Sequence, residues 1–269
     1  MSMKFVSETN AWSDLRTISV GAVLAIIVLA ATTPLRAAPV ELITNGGFET
    51  GDFTGWTVTD AGSGSFEVLG GLTPPGGCPS PDCDTPGPHT GQFYAVSWQD
   101  EPGTHALWQP FTVPGLANSV TFTFDMFVQT EADLAVFLDP AGVAVLDHFE
   151  GVLGDGGDDL PTDNQHARVD IMSSASLPFD TATGVLSNFY LGIDGAPTQP
   201  YISYSFDITS LVGGGGTFLV SFAQTDNRGF FNQGVDNVSI LFEEYRVPEP
   251  ALLVLLGLGL AGLALRRHA

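Results

Sequence analysis

The chain has 269 residues, with 30 acidic side chains against eight basic ones and a formal net charge of −22. Such a surface repels DNA, RNA and anionic lipid, whose binding needs clustered Lys and Arg, so nucleic acid is excluded as a partner. Lys4 is the only lysine, and its place near the N-terminus leaves none for Schiff-base, Ser-Lys or phosphate-loop chemistry in the rest of the chain.

In chain order, Lys4 and Arg16 precede an apolar stretch at 18–31, and Leu35-Arg36-Ala37-Ala38 offers small residues to a signal peptidase. Cleavage after Ala38 would place Pro39 just beyond the scissile bond. The cut is therefore expected after Ala37, making 1–37 a signal peptide and 38–246 the exported domain. From Pro39 to Val247 there are 27 acids against Arg168, Arg228 and Arg246, a net charge of −24. That balance keeps a chain soluble and favours divalent cations. About 210 residues give ample length for a core.

The domain reads as strands with almost no helix. Alternating or β-rich runs occur at 66–69, 93–98, 106–113, 120–130, 134–138, 143–149, 167–172, 190–193, 201–208, 217–223 and 235–242, with Gly, Pro, Asn and Asp between them. Val120, Phe122, Phe124 and Met126 fall on one face of their run, the pattern of a half-buried antiparallel strand. Many short strands without helical crossovers predict an all-β fold, an antiparallel β-sandwich of jelly-roll type. Cys78 and Cys83 are four residues apart in a Gly/Pro-rich stretch. A small loop-stapling disulfide is expected in an exported chain, with free thiols or an intermolecular bridge as alternatives. The loop at 154–163 is acidic, but its spacing fails the EF-hand pattern and it reads as a solvated loop.

The C-terminus carries Val247-Pro248-Glu249-Pro250, an apolar run at 251–265 and Arg266-Arg267. This order of motif, greasy segment and basic stop resembles the PEP-CTERM sorting signal at 247–269. The resemblance implies processing by an exosortase, an inner-membrane-anchored precursor, and delivery to the cell surface or extracellular matrix. Fifteen apolar residues are fewer than the ~20 that span a bilayer comfortably, yet the two arginines would hold the segment in the inner membrane. An ordinary tail anchor is the rival reading. Gly257-Leu-Gly-Leu-Ala-Gly262 matches a dinucleotide fingerprint but lies inside this segment with no βαβ unit to serve.

Two further motifs bracket the strands: Asn45-Gly-Gly-Phe-Glu-Thr-Gly-Asp-Phe-Thr-Gly-Trp56 and Gly234-Val-Asp-Asn-Val-Ser-Ile240. With Leu107-Trp-Gln-Pro-Phe-Thr-Val-Pro114 and Tyr204-Ser-Phe-Asp-Ile-Thr-Ser-Leu211 between them, the region resembles galactose-binding-like jelly rolls, the fold of many carbohydrate-binding modules. The resemblance implies a structural Ca2+ where first and last strands meet, held by Glu49 and Asp236 with Asp52 as a third candidate. The alternative is that both acids bond backbone groups at a strand end. Sugar binding would need exposed aromatic faces. Trp98, Trp108, Tyr94, Tyr201, Phe230 and Phe231 are available, and Arg228 and Phe231, read as loop residues, are the leading candidates. No G-x-S-x-G, H-E-x-x-H or Walker pattern occurs. The expected function is thus a non-catalytic exported surface or matrix protein associated with exopolysaccharide and biofilm. A carbohydrate-binding module with a defined glycan is the alternative, and a glycan-active hydrolase the lesser one, since 27 acids supply many carboxylate pairs.

Overall fold

Alternation decides which side of each strand faces inward. In the central strand at 117–130, Val120, Phe122, Phe124, Met126 and Val128 are buried while Thr121, Thr123 and Asp125 keep some exposure, as the period of two requires. The computed structural model describes residues 38–72, 84–99, 101–130, 145–148, 165–192, 200–227 and 231–245. The expected signal peptide, the strand at 134–138, the acidic loop at 154–163, both cysteines, Arg228, Phe230 and the C-terminal motif lie outside them.

Among the described residues eleven strands follow in order: β1 (Val40–Glu41), β2 (Thr57–Gly62), β3 (Ser65–Leu69), β4 (Tyr94–Trp98), β5 (Gly103–Val113), β6 (Ala117–Thr130), β7 (Gln165–Ser173), β8 (Val185–Gly192), β9 (Ile202–Asp207), β10 (Gly216–Asp226) and β11 (Phe231–Glu244). One helical turn, Thr209–Val212, separates β9 from β10. The first sheet runs β3-β4-β11-β6-β9 with β1 also on β11, and the second runs β2-β5-β10-β7-β8. Every pairing is antiparallel. The expected β-sandwich is therefore present.

The differences from the sequence reading are at edges. β1 and β2 were not anticipated, because two residues carry no period and Thr-Val-Thr-Asp-Ala-Gly is a polar edge strand. β8 begins at Val185, five residues before the expected start. In the run expected at 143–149, Val145 makes a single bridge to Asp180.

Between the sheets lies one main apolar cluster built from β5, β6, β7, β10 and β11. Phe124 meets Phe222 edge-on across the layer at 5.3 Å, and Phe222 lies 6.2 Å from Trp56. Each fully buried ring contributes about 1.5–3 kcal/mol relative to exposure. Trp56 sits under the opening motif, 5.5 Å from Phe48, with its indole N–H donating to Asn45 O at 3.1 Å.

That motif is fitted into β11. β4 pairs with β11 at Gly234 and Val235, and β1 pairs with it at Leu241 and Phe242, both on the edge away from β6. In the gap, Leu42 N donates to Ile240 O and Val238 N to Gly46 O, each at 2.9 Å. Register with β6 shifts between Asp236 and Ser239, where Asn237 has φ 52°. A Cβ on Gly46 would stand 1.8 Å from Val238 O, so only glycine lets the first segment lie against this bulge.

Candidate functional site

The bulge places Asp236 and Glu49 over residues 89–93, the segment leading into β4. Asp236 Oδ2 accepts from His89 N and Thr90 N, both at 3.0 Å, and Oδ1 accepts from Asn237 N at 2.7 Å. Glu49 Oε1 accepts from Gln92 N at 2.9 Å and Phe93 N at 3.1 Å, and Oε2 from Gln92 N at 3.1 Å. One carboxylate from each terminal motif thus holds the same strap. All four oxygens face N–H donors, so the pair as it stands fits backbone amides rather than the six to eight oxygen ligands of calcium. Asp52 is not part of it. Its Oδ1 caps its own turn through Thr54 N and Thr50 Oγ1; the Thr54 side chain, then the Thr50 side chain and the Thr54 amide, hold its carboxyl below the usual range. Among the described residues no three His, Cys, Asp or Glu side chains are grouped to hold a metal.

Directly across from Asp236 on β6 is Asp125. Two like charges on neighbouring strands repel. The pair is accommodated because Asp125 accepts from Ser203 Oγ, from Asn237 Nδ2 at 2.8 Å and from His89 Nδ1 at 2.9 Å. Burial pushes the Asp125 carboxyl up, but these bonds and the His89 charge outweigh it and hold it below its ordinary value. Burial likewise pushes Asp236 up, and with the Asp125 charge it prevails over the three backbone bonds. His89 stacks on Tyr201 at 4.8 Å, and Tyr201 OH donates to Gly87 O at 2.9 Å. Asp125 stands between Ser203 and His89, so hydroxyl and imidazole bond the carboxylate and not each other. That is not the nucleophile–base order of an acyl-transfer triad.

A second polar cluster lies between the sheets at the opposite reach of the same strands. Asp226 accepts from Gln99 Nε2 at 2.6 Å and Gln165 Nε2 at 2.7 Å. Thr130 Oγ1 donates to Gln165 Oε1, Gln224 Nε2 to Gln99 Oε1, and Ser97 Oγ to Gln224 Oε1, all at 2.5–2.6 Å. Sequence reading missed this cluster. The signal was available, since carrying the period of two past Val128 and Phe222 points Thr130, Gln224 and Asp226 inward. Saturated buried networks of this kind fix register and rigidify.

The aromatic candidates are dispersed. Phe231 is fully buried in the main cluster as the first residue of β11, opposite Thr130, so it has no face to offer a sugar. Tyr94 is also fully buried. Trp98 and Trp108 are half-buried on faces away from the main core, their indole N–H groups donating to Glu67 Oε1 and Thr59 Oγ1 at 3.0 and 3.1 Å. Beside the row of Trp108, Arg168 forms a buried two-point pair with Asp170, Nε to Oδ2 at 2.5 Å and Nη2 to Oδ1 at 3.0 Å.

With this geometry in view, residues 246–267 match the PEP-CTERM protein-sorting motif. No curated protein matches the chain. Among solved structures, TmCBM61 in complex with β-1,4-galactotriose is similar at TM-score 0.42 and 14% identity, over 76% of this chain and 99% of that one. The CBM22-1–CBM22-2 tandem domain from Paenibacillus barcinonensis Xyn10C is similar at 0.38 and 13%, over 81% and 49%. A cyclase from Fischerella sp. TAU is similar at 0.38 and 15%, over 78% and 100%. Carbohydrate-binding modules are thus among the neighbours, but likeness at these scores says nothing about what this domain binds.

Proposed function

We propose that the chain is a non-catalytic exported protein, held in the inner membrane by its C-terminal segment, processed by an exosortase, and delivered with its β-sandwich to the cell surface or matrix in association with exopolysaccharide. The match at 246–267 carries this reading. The saturated carboxylates of the bulge support it, because their hydrogen bonds spend them on holding the fold together. Replacing Pro248-Glu249-Pro250 with alanines leaves a precursor in the inner membrane whose mass includes the tail. Wild-type protein found at its destination with residues 251–269 still attached overturns the reading.

A second reading, recognition of a defined glycan, is favoured by the two half-buried indoles. Trp98→Ala and Trp108→Ala would each be run through polysaccharide affinity gels beside the wild type. Retardation competed by free sugar and lost in one variant supports recognition, and no retardation of the wild type by any polysaccharide removes it.

A further inference from the structure

The end of the sandwich from which the tail departs differs in composition from the rest of the surface. It is formed by the turns between β5 and β6 and between β7 and β8, the glycine turn between the helical turn and β10, the start of β1 and the last residue of β11. Tyr245 N donates to Leu116 O at 3.0 Å, Ala117 N donates to Gly213 O at 2.9 Å, and Val40 lies opposite Phe242. Leu116 is 67% exposed, Tyr245 54% and Val40 52%. Single exposed apolar residues need no explanation, but these surround the point where the described chain stops.

Three of these tips are free of charge. Residues 38–40, 113–118 and 208–218 contain no Asp, Glu, Lys or Arg, in a domain carrying 24 more negative than positive groups. Glu41, though exposed, is engaged along β11. Its Oε1 accepts from Ile43 N and Ile240 N at 2.9 Å, and its Oε2 from Ser239 Oγ at 2.5 Å. Asp207 caps the helical turn through Thr209 N at 2.9 Å. Glu243 and Glu244 precede Tyr245 at the end of β11, and Glu244 is exposed.

We infer that this end is a lipid-docking surface: while the apolar run at 251–265 anchors the precursor, Leu116, Tyr245 and Val40 rest in the headgroup–acyl boundary of the bilayer beside it. The inference rests on the anchoring part of the function proposed above. Only a few residues, starting with Arg246, separate Tyr245 from the apolar run, so the domain end cannot stand far from the membrane. Uncharged tips avoid the cost of desolvating ions on contact, and a tyrosine with an apolar body and a polar tip suits that depth. Glu243 and Glu244 limit penetration and set the lipid preference. Zwitterionic headgroups tolerate them, and anionic ones repel the whole domain.

The test uses the full chain reconstituted through its tail into phosphatidylcholine vesicles with brominated acyl chains. Leu116→Trp adds an indole at the proposed surface, and Leu191→Trp adds one at an exposed leucine of β8 that lies opposite Arg168, toward the other end of the sandwich. Tyr245→Trp is a second reporter that leaves the β5–β6 turn unaltered. Brominated lipid should remove most of the added emission of L116W and Y245W and none of that of L191W, and the quenching should be lost when phosphatidylglycerol replaces phosphatidylcholine. Vesicle flotation with no excess quenching in L116W and Y245W overturns the docking surface while leaving the anchor intact. Failure to float overturns both. Shielding of the L116W indole from iodide by a membrane-protein extract, without quenching by brominated lipid, assigns the surface to a protein and also overturns it.

Discussion

Asp125 and Asp236 face each other across two strands and are pushed in opposite directions, which gives each its own signature with pH. Asp125 is held below its ordinary value of 3.8. The unfolded chain therefore takes up this proton first as pH falls, so the contribution of Asp125 to stability is present above about 3.8 and lost as pH drops through its folded value. Urea unfolding across a pH series should show wild type more stable than Asp125→Asn at neutrality and the two converging at acid pH. A constant difference would mean that the Ser203, Asn237 and His89 bonds do not depend on the charge. Asp236 runs the other way, its raised value favouring the protonated form and costing stability as pH rises through it.

Calcium across Glu49 and Asp236, proposed from the resemblance of the two terminal motifs, is decided at the same scale. An ion bound only by the native state at a hundred times its dissociation constant adds about 2.7 kcal/mol. In a domain of this size that raises the melting temperature by roughly 2–4 °C per kcal/mol. The proposal expects a rise specific to calcium over magnesium at matched ionic strength, removed by Glu49→Gln and by Asp236→Asn. Equal shifts would leave the pair with the amide-holding role that its hydrogen bonds show.

Among the elements, β11 carries the most constraints, because β1, β4, β6 and the opening motif all bond to it. Gly46→Ala would drive a methyl into Val238 O and should cost about 3 kcal/mol or more, beyond ordinary overpacking. Gly71→Ala, where nothing stands within 4 Å of the added carbon, should stay within about 0.5 kcal/mol. Equal costs in chemical denaturation would refute the close fit of the opening motif against the bulge. β6 was legible in the sequence because its first ten residues alternate between a buried face and a part-exposed one, and β5 and β10 were legible as β-rich runs even though both faces of β10 are covered from Leu219 onward. β2 was not, since both of its faces are only partly covered. The meeting of Glu49 and Asp236 at one end of the fold was legible from the paired motifs, whereas their N–H partners come from residues 89–93, which no period marks. Phe231 was misplaced because Asp226-Asn-Arg-Gly reads as a loop and gives no sign that β11 begins directly after it. Asp226 and Gln224 were overlooked for a related reason: polar residues at strand ends look like loop chemistry until the facing sheet covers them.

For the whole molecule, the domain and its terminal signals make separable contributions. The sandwich supplies a folded, acidic body, and the C-terminal match supplies the route. Substitutions inside the sandwich should therefore change melting without changing processing, and the proline–glutamate–proline replacement should do the reverse.

The place of β11 in the first sheet has a consequence in time. A chain leaving the ribosome or a membrane channel N-terminus first presents β1 some 190 residues before its partner, and β4 and β6 also wait for the strand that joins them. The first sheet cannot close until residues 231–244 have emerged, whereas the strands of the second sheet all precede residue 227 and can pair earlier. Completion of the first sheet and arrival of the sorting tail are thereby made nearly simultaneous, and a truncated chain that lacks the tail and β11 loses that sheet along with its address.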